Sequence, residues 1–157
     1  MTPPAPPDDV PLARLFAMAF RYLIDELHAR LADRRWPEMR PPYGFVLVAA
    51  RDRALTSGTI AELMGMTKQA ASKLVDAMEG EGYVSRRVDG GDARAKLVEL
   101  TPRGHELLTA VEEVYADLEA EWTAVVGRAG VETVRRDLLA VLRATHDGAL
   151  PPVRPTW

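Results

Sequence analysis

The chain has no cysteine, and that absence removes disulfides, thiolate zinc sites and thiol-based redox sensing. Its three histidines, His28, His105 and His146, show no i, i+4 pairing and no acidic cluster, so no metal site is expected. The longest purely apolar run, residues 45–50, falls far below the ~20 residues that span a bilayer. The opening MTPPAPPDD has neither the basic nor the apolar segment of a signal peptide. No membrane partner and a cytoplasmic location are therefore expected. There is no P-loop, GxGxxG, GxSxG or HExxH. The paired carboxylates at Glu112, Glu113, Glu119 and Glu121 lie on an ordinary amphipathic pattern, so neither an enzyme nor a cofactor is expected.

What is present reads as one domain. A length of 157 residues with 47% hydrophobic and 27% charged residues suits a single globular core. The ends are proline-rich, so residues 1–9 read as a disordered tail and 148–157 as a second tail, around a domain spanning 10–147. The net charge of −3 argues mildly against a nucleic-acid partner, but the charge is not evenly spread. All three lysines, Lys68, Lys73 and Lys96, fall between Thr56 and Gly104. Residues 65–104 hold seven Lys/Arg against six Asp/Glu, whereas residues 105–157 hold five against nine. A local basic footprint on an acidic body is compatible with DNA.

Asp9 can cap a helix with Pro11 in its first turn. Leu12, Leu15, Phe16, Ala19, Leu23, Leu27 and Leu31 then recur at helical spacing to about Arg35. Pro37, Pro41 and Pro42 end that helix and start another. Residues 43–53 suit helix or strand, because Phe45-Val46-Leu47-Val48 satisfies both patterns. Thr56 or Ser57 caps a short helix with Ile60, Leu63 and Met64 inward, closed by Gly65 as a left-handed stop. Thr67 opens the next helix, which ends near Gly80 and Gly82. Strands follow at 83–88 and 96–100, joined through Asp89-Gly90-Gly91-Asp92. Thr101 with Pro102 launches a helix to about Val126, and a last helix runs from about Val131 to Thr145. The order describes a mainly α chain with a small β-hairpin wing, a winged helix-turn-helix plus a helical dimerisation region.

The helix opened by Thr67 has two faces. Ala71, Leu74, Val75 and Met78 form an apolar stripe, while Gln69, Ser72, Lys73 and Asp76 centre on the opposite side with Lys68 at its edge. Near the start of such a helix, Gln69 can pair bidentately with adenine and Lys68 can reach guanine O6/N7. Ser72, Lys73 and the free N–H end behind Thr67 suit phosphate. Taken alone, this face equally fits a solvated helix that never meets DNA. The hairpin shifts the balance. Arg94 at its tip can enter a minor groove, with Asp92 holding the guanidinium or bonding the tip backbone, and Arg86, Arg87 and Lys96 can contact phosphates. Helix and wing together favour double-stranded DNA as the partner.

These residues resemble the MarR family of bacterial winged-helix transcriptional regulators. The most specific match is Asp92-Ala-Arg94, three residues, Val98-Glu-Leu100-Thr101, then Gly104, which fits that family's D-x-R-x3-V-x-L-T-x2-G wing signature. Met66-Thr67-Lys68-Gln69, Leu74-Val75-Asp76, Glu79 and Gly82-Tyr83-Val84 look like its recognition helix and the turn into the wing. The resemblance implies a homodimer paired through helical parts at about 10–36 and 102–147, around a DNA-binding part at about 42–101. It favours helix for residues 43–53. It also implies a pseudo-palindromic operator, usually repressed, with relief by a small molecule. Two departures are Ala93, where many relatives carry a second arginine, and Gly90-Gly91 in place of a stiffer tip.

The dimer has support of its own. Leu107, Leu108, Val111, Val114, Tyr115, Leu118, Trp122 and Val125 make a long stripe that, with the first helix, exceeds what a small winged helix can cover. An intramolecular bundle burying all of it is the alternative. His28, Trp36, Tyr43 and Phe45 flank the junction of the first two helices, near where the family's effectors bind, and would suit a small aromatic or lipophilic effector; aromatics at such a junction are also ordinary core. The alternative function is a winged-helix protein-interaction or dimerisation module without DNA binding, which would not need the basic tip and polar face.

Overall fold

The computed structural model describes residues 10–88, 90–91 and 96–151. The expectations for the tail at 1–9, for residues 152–157 and for Asp92 and Arg94 lie outside the described residues. The elements run α1 (Leu12–Asp33), α2 (Pro41–Ala49), β1 (Leu55–Thr56), α3 (Ser57–Met64), α4 (Lys68–Gly80), β2 (Val84–Val88), β3 (Lys96–Leu100) and α5 (Pro102–Ala144). The molecule is mainly helical, with α1 and α5 flanking a winged helix-turn-helix.

The caps explain where the helices begin. Thr56 accepts from the Thr59 N–H at 3.0 Å, Thr67 from Ala70 at 3.1 Å and Thr101 from Gly104 at 3.1 Å, each satisfying an N–H that the helix itself cannot pair. Gly65 closes α3 at φ 64°, as its sequence position suggests. Two expectations are corrected. Helix α1 starts at Leu12 with Pro11 at its N-cap, rather than with Pro11 inside its first turn, and Asp9 lies outside the described residues. Residues 43–53 are helical only as far as Ala49, after which the chain bends through residues 51–53 towards β1.

The sheet has three strands in the order β1-β3-β2, all antiparallel, where a two-stranded wing was expected. Leu55 pairs with Val98 and Thr56 with Leu97, so β1 ties the entry to α3 onto β3, the central strand of the sheet. In the hairpin, Val84 faces Leu100, Arg86 faces Val98 and Val88 faces Lys96. The core lies between α2, α3, α4, the sheet and the first half of α5, where Tyr43, Leu47, Ile60, Val75, Met78, Tyr83, Val98, Leu107 and Leu118 are all buried. The long stretch α5 is two helices that meet at Gly127, whose φ 76° and ψ 160° are not helical, in keeping with the two C-terminal helices expected.

Candidate functional site

The recognition helix α4 places its residues as its two faces suggest. Ala71, Val75 and Met78 are buried, whereas Lys68, Gln69, Lys73 and Asp76 are exposed and Ser72 is half-buried. Among the described residues, Lys68, Lys73 and Lys96 make no ion pair. Their charges are therefore available to an anionic partner.

The two arginines of β2 are held differently. Arg87 pairs with Glu99 across the hairpin at 2.9 Å in an exposed setting. Arg86 turns back onto α4, bonding Asp76 at 2.6 Å and Glu79 as well, with the Ser72 carbonyl at 3.4 Å. Burial works against its charge, but the hydrogen bonds it donates to Asp76 and Glu79 and their negative charges together outweigh burial, so its pKa is raised. A phosphate contact was expected of Arg86; in the single chain its guanidinium is engaged on these internal partners. Between α4 and the wing runs a groove of about 500 Å³ lined by Ser57, Ser72, Asp76, Glu79, Arg86, Arg87, Val88 and Lys96.

The string from Val98 to Gly104 forms the seam between wing and α5. Val98 is buried opposite Arg86. Thr101 donates its hydroxyl to the Gly82 carbonyl at 2.5 Å and its N–H to Tyr83 at 3.1 Å while capping α5. A Cβ on Gly104 would lie 2.0 Å from the Tyr83 carbonyl oxygen, which is backbone and cannot yield. Only glycine fits there.

Residues 45–95, from the end of α2 through the wing tip, match the model of the MarR family. Over these residues the winged helix is similar to that family. Solved MarR-family structures share its fold along most of the chain. The reduced form of E. coli MarR aligns at TM-score 0.74 and 23% identity, covering 86% of this chain and 98% of that one. The transcriptional regulator BldR from Sulfolobus solfataricus aligns at 0.64 and 27%, covering 85% and 93%. A variant of S. aureus MepR, solved bound to an oligodeoxyribonucleotide, aligns at 0.61 and 21%, covering 88% and 100%.

The chain also has an apolar cavity of about 330 Å³ where α1, α2, α3 and α5 meet. Phe20, Ile24, Leu27, Met39, Phe45, Leu63, Met64 and Tyr115 are among its lining residues, and His28 supplies the imidazole. His28 Nδ1 lies 2.8 Å from the Ile24 carbonyl, which can only accept, so Nδ1 carries the proton. Nε2 of the same ring is buried with no hydrogen-bond partner among the described residues. Of the four residues singled out for a ligand, His28 and Phe45 line this cavity, while Trp36 and Tyr43 do not. Trp36 and Tyr43 each pack on Tyr83 with ring centroids 6.0 Å apart, and the Arg103 guanidinium sits 5.1 Å from Trp36 and 5.2 Å from Tyr83. The Tyr43 hydroxyl donates to Glu81 at 2.9 Å. Sequence reasoning passed over Phe20 and Ile24, although Phe20, Ile24 and His28 share one helical face beside the leucine stripe.

Proposed function

We propose that this chain is a sequence-specific, non-catalytic transcriptional regulator that binds double-stranded DNA in the cytoplasm as a homodimer. The observation that carries the reading is the exposed Lys68–Gln69–Lys73 face on a capped helix, its lysines unpaired, beside a wing that carries Lys96. Gln69 and Lys68 have the chemistry to read adenine and guanine edges, while Thr67, Ser72, Lys73, Arg87 and Lys96 would meet phosphates. The likeness to a MepR variant solved with an oligodeoxyribonucleotide supports this use of the fold.

Dimerisation is supported by uncovered apolar helix surface. Leu12, Leu15, Phe16, Met18 and Phe20 on α1, and Val126, Val134, Val141 and Leu142 on α5, are exposed in the single chain. A two-fold pair of winged helices would read a pseudo-palindromic operator. Binding there represses transcription, and a small aromatic or lipophilic effector in the His28–Phe45 cavity relieves it. The cavity is lined by α1 and α5, the helices that would pair, and by α2 and α3, the latter leading into the helix that carries the DNA-reading face, so an occupant would bear on both.

Fluorescence anisotropy on the gene's own upstream DNA, against random duplex and across a salt series, tests the reading. Tight binding to the upstream duplex, weak binding to random duplex and a steep negative log–log salt slope are expected. Absence of binding to any duplex at low salt would sink it and promote a protein-interaction module. Small apolar acids and phenols added to the bound complex would then test release.

A further inference from the structure

The second half of α4 sets a problem for any anionic partner. Asp76 and Glu79 both line the groove between recognition helix and wing, on the side where a nucleic-acid backbone would run. Left bare, two carboxylates there would repel phosphate and oppose Lys73 on the same face.

Arg86 meets both of them. Its Nη1 bonds Glu79, its Nη2 bonds Asp76 at 2.6 Å and reaches the Ser72 carbonyl at 3.4 Å. Glu79 replies with its other oxygen, accepting the Arg86 backbone N–H at 3.2 Å. The side chain is only 16% exposed, against 52% for Arg87 one residue on. The opposing residue on β3, Val98, is buried, so this side of β2 faces inward. An arginine fork engaged on two carboxylates and a carbonyl has little left to offer a phosphate.

We infer that Arg86 is a positioning residue that clamps the wing to the recognition helix and cancels the helix's acidic half, without itself contacting DNA. This rests on the DNA-binding reading above. Its role follows from rigid geometry: the clamp joins the third turn of α4 to the middle of β2, so it sets the angle at which Gln69 and the wing reach one duplex together. Loss of such a residue blurs sequence discrimination, whereas loss of a phosphate contact weakens all duplexes alike.

The test uses full-length protein and a duplex enriched by the wild type from a random pool, with random duplex as the reference. Arg86→Met should lower affinity for the enriched duplex at least ~10-fold and for random duplex by no more than ~2-fold, with the salt slope held within about half a unit. Lys73→Ala, the phosphate-contact control, should weaken both duplexes similarly and flatten the slope. Arg86→Lys, which keeps the charge but cannot fork, should also lose discrimination, and this second variant decides the matter if Arg86→Met fails to fold. In the triple variant Arg86→Met/Asp76→Asn/Glu79→Gln, removal of the bare carboxylates should recover part of the lost affinity. An equal loss on both duplexes with a flattened slope, or wild-type discrimination in Arg86→Lys, would overturn the proposal. If the wild type enriches no sequence at all, the DNA-binding reading has failed and the clamp's role on DNA falls with it.

Discussion

The two halves of this molecule use the same kinds of apolar residue to opposite ends. In the winged helix, Val46, Leu47, Ile60, Val75, Met78, Tyr83, Val84 and Val98 are buried almost completely. In the helical arms, α1 has only Leu27 and Leu31 buried, and α5 has no buried residue beyond Leu118 although it runs to Ala144. Val125 is 84% exposed and Leu12 68%. Each such side chain would gain roughly 1.5–3 kcal/mol from full burial. Ion pairs do not substitute for that burial. Arg30–Glu121 at 2.8 Å and Arg34–Asp117 at 2.6 Å join α1 to α5, but solvent screens exposed pairs of this kind and they add little. The winged helix thus carries its own core, whereas the arms leave much of their apolar surface uncovered in the single chain.

The largest expected effect separates the halves outright. Phe16→Glu together with Val141→Glu should convert a dimer to monomer in sedimentation velocity, because a buried partnerless carboxylate costs about 3–5 kcal/mol. A variant pair that sediments like wild type would show that these faces do not pair. Next comes the seam that joins arm to wing. Gly104→Ala should cost about 2–3 kcal/mol and lower Tm by roughly 5–10 °C, since its Cβ would meet the Tyr83 carbonyl oxygen. Calorimetry reads this directly, and an unchanged Tm would refute the contact.

Smaller effects should stay within the winged helix. Gln69→Ala should cost ~1–3 kcal/mol on the preferred duplex and relax discrimination at one position, with Tm unchanged because the side chain is exposed. The smallest is Tyr43→Phe, which removes a hydrogen bond to Glu81 worth about 1 kcal/mol. Burial first, then that bond to Glu81, pushes the Tyr43 hydroxyl up to about 12. The raised value means the folded state favours the neutral hydroxyl. Its contribution is complete below the ordinary tyrosine value of 10 and is lost as pH rises through about 12. Denaturant midpoints across that alkaline window should fall less steeply in the phenylalanine variant.

Legibility followed the range of the interactions. The caps at Thr67 and Thr101 and the stop at Gly65 depend on residues three or four apart, and each lies where its sequence position suggests. The stripe Ala71, Val75 and Met78 is a helical period and is buried. What escaped depends on distant partners. β1 is two residues long and exists because Leu55 and Thr56 meet Val98 and Leu97, a pairing no local pattern announces. The internal engagement of Arg86 needs the hairpin register and the angle of α4 at once. Tyr43 and Trp36 read as ligand contacts because they flank the helix junction, yet Tyr83, forty residues past Tyr43, draws both into a separate aromatic cluster. The cavity face of Phe20, Ile24 and His28 was periodic but overshadowed by the stronger leucine stripe beside it.

Gly127 carries a further consequence. Its φ of 76° and ψ of 160° belong to a region that side chains other than hydrogen avoid, yet no described atom lies within 4 Å of where its Cβ would be. The demand at this position is torsional, with ample room around it. A larger residue would fit in space but would draw the backbone back to negative φ and straighten α5. Everything after residue 127 would then point elsewhere, and the stripe of Val134, Leu138, Val141 and Leu142 would turn with it. A single backbone angle therefore sets the direction in which this chain offers its last apolar side.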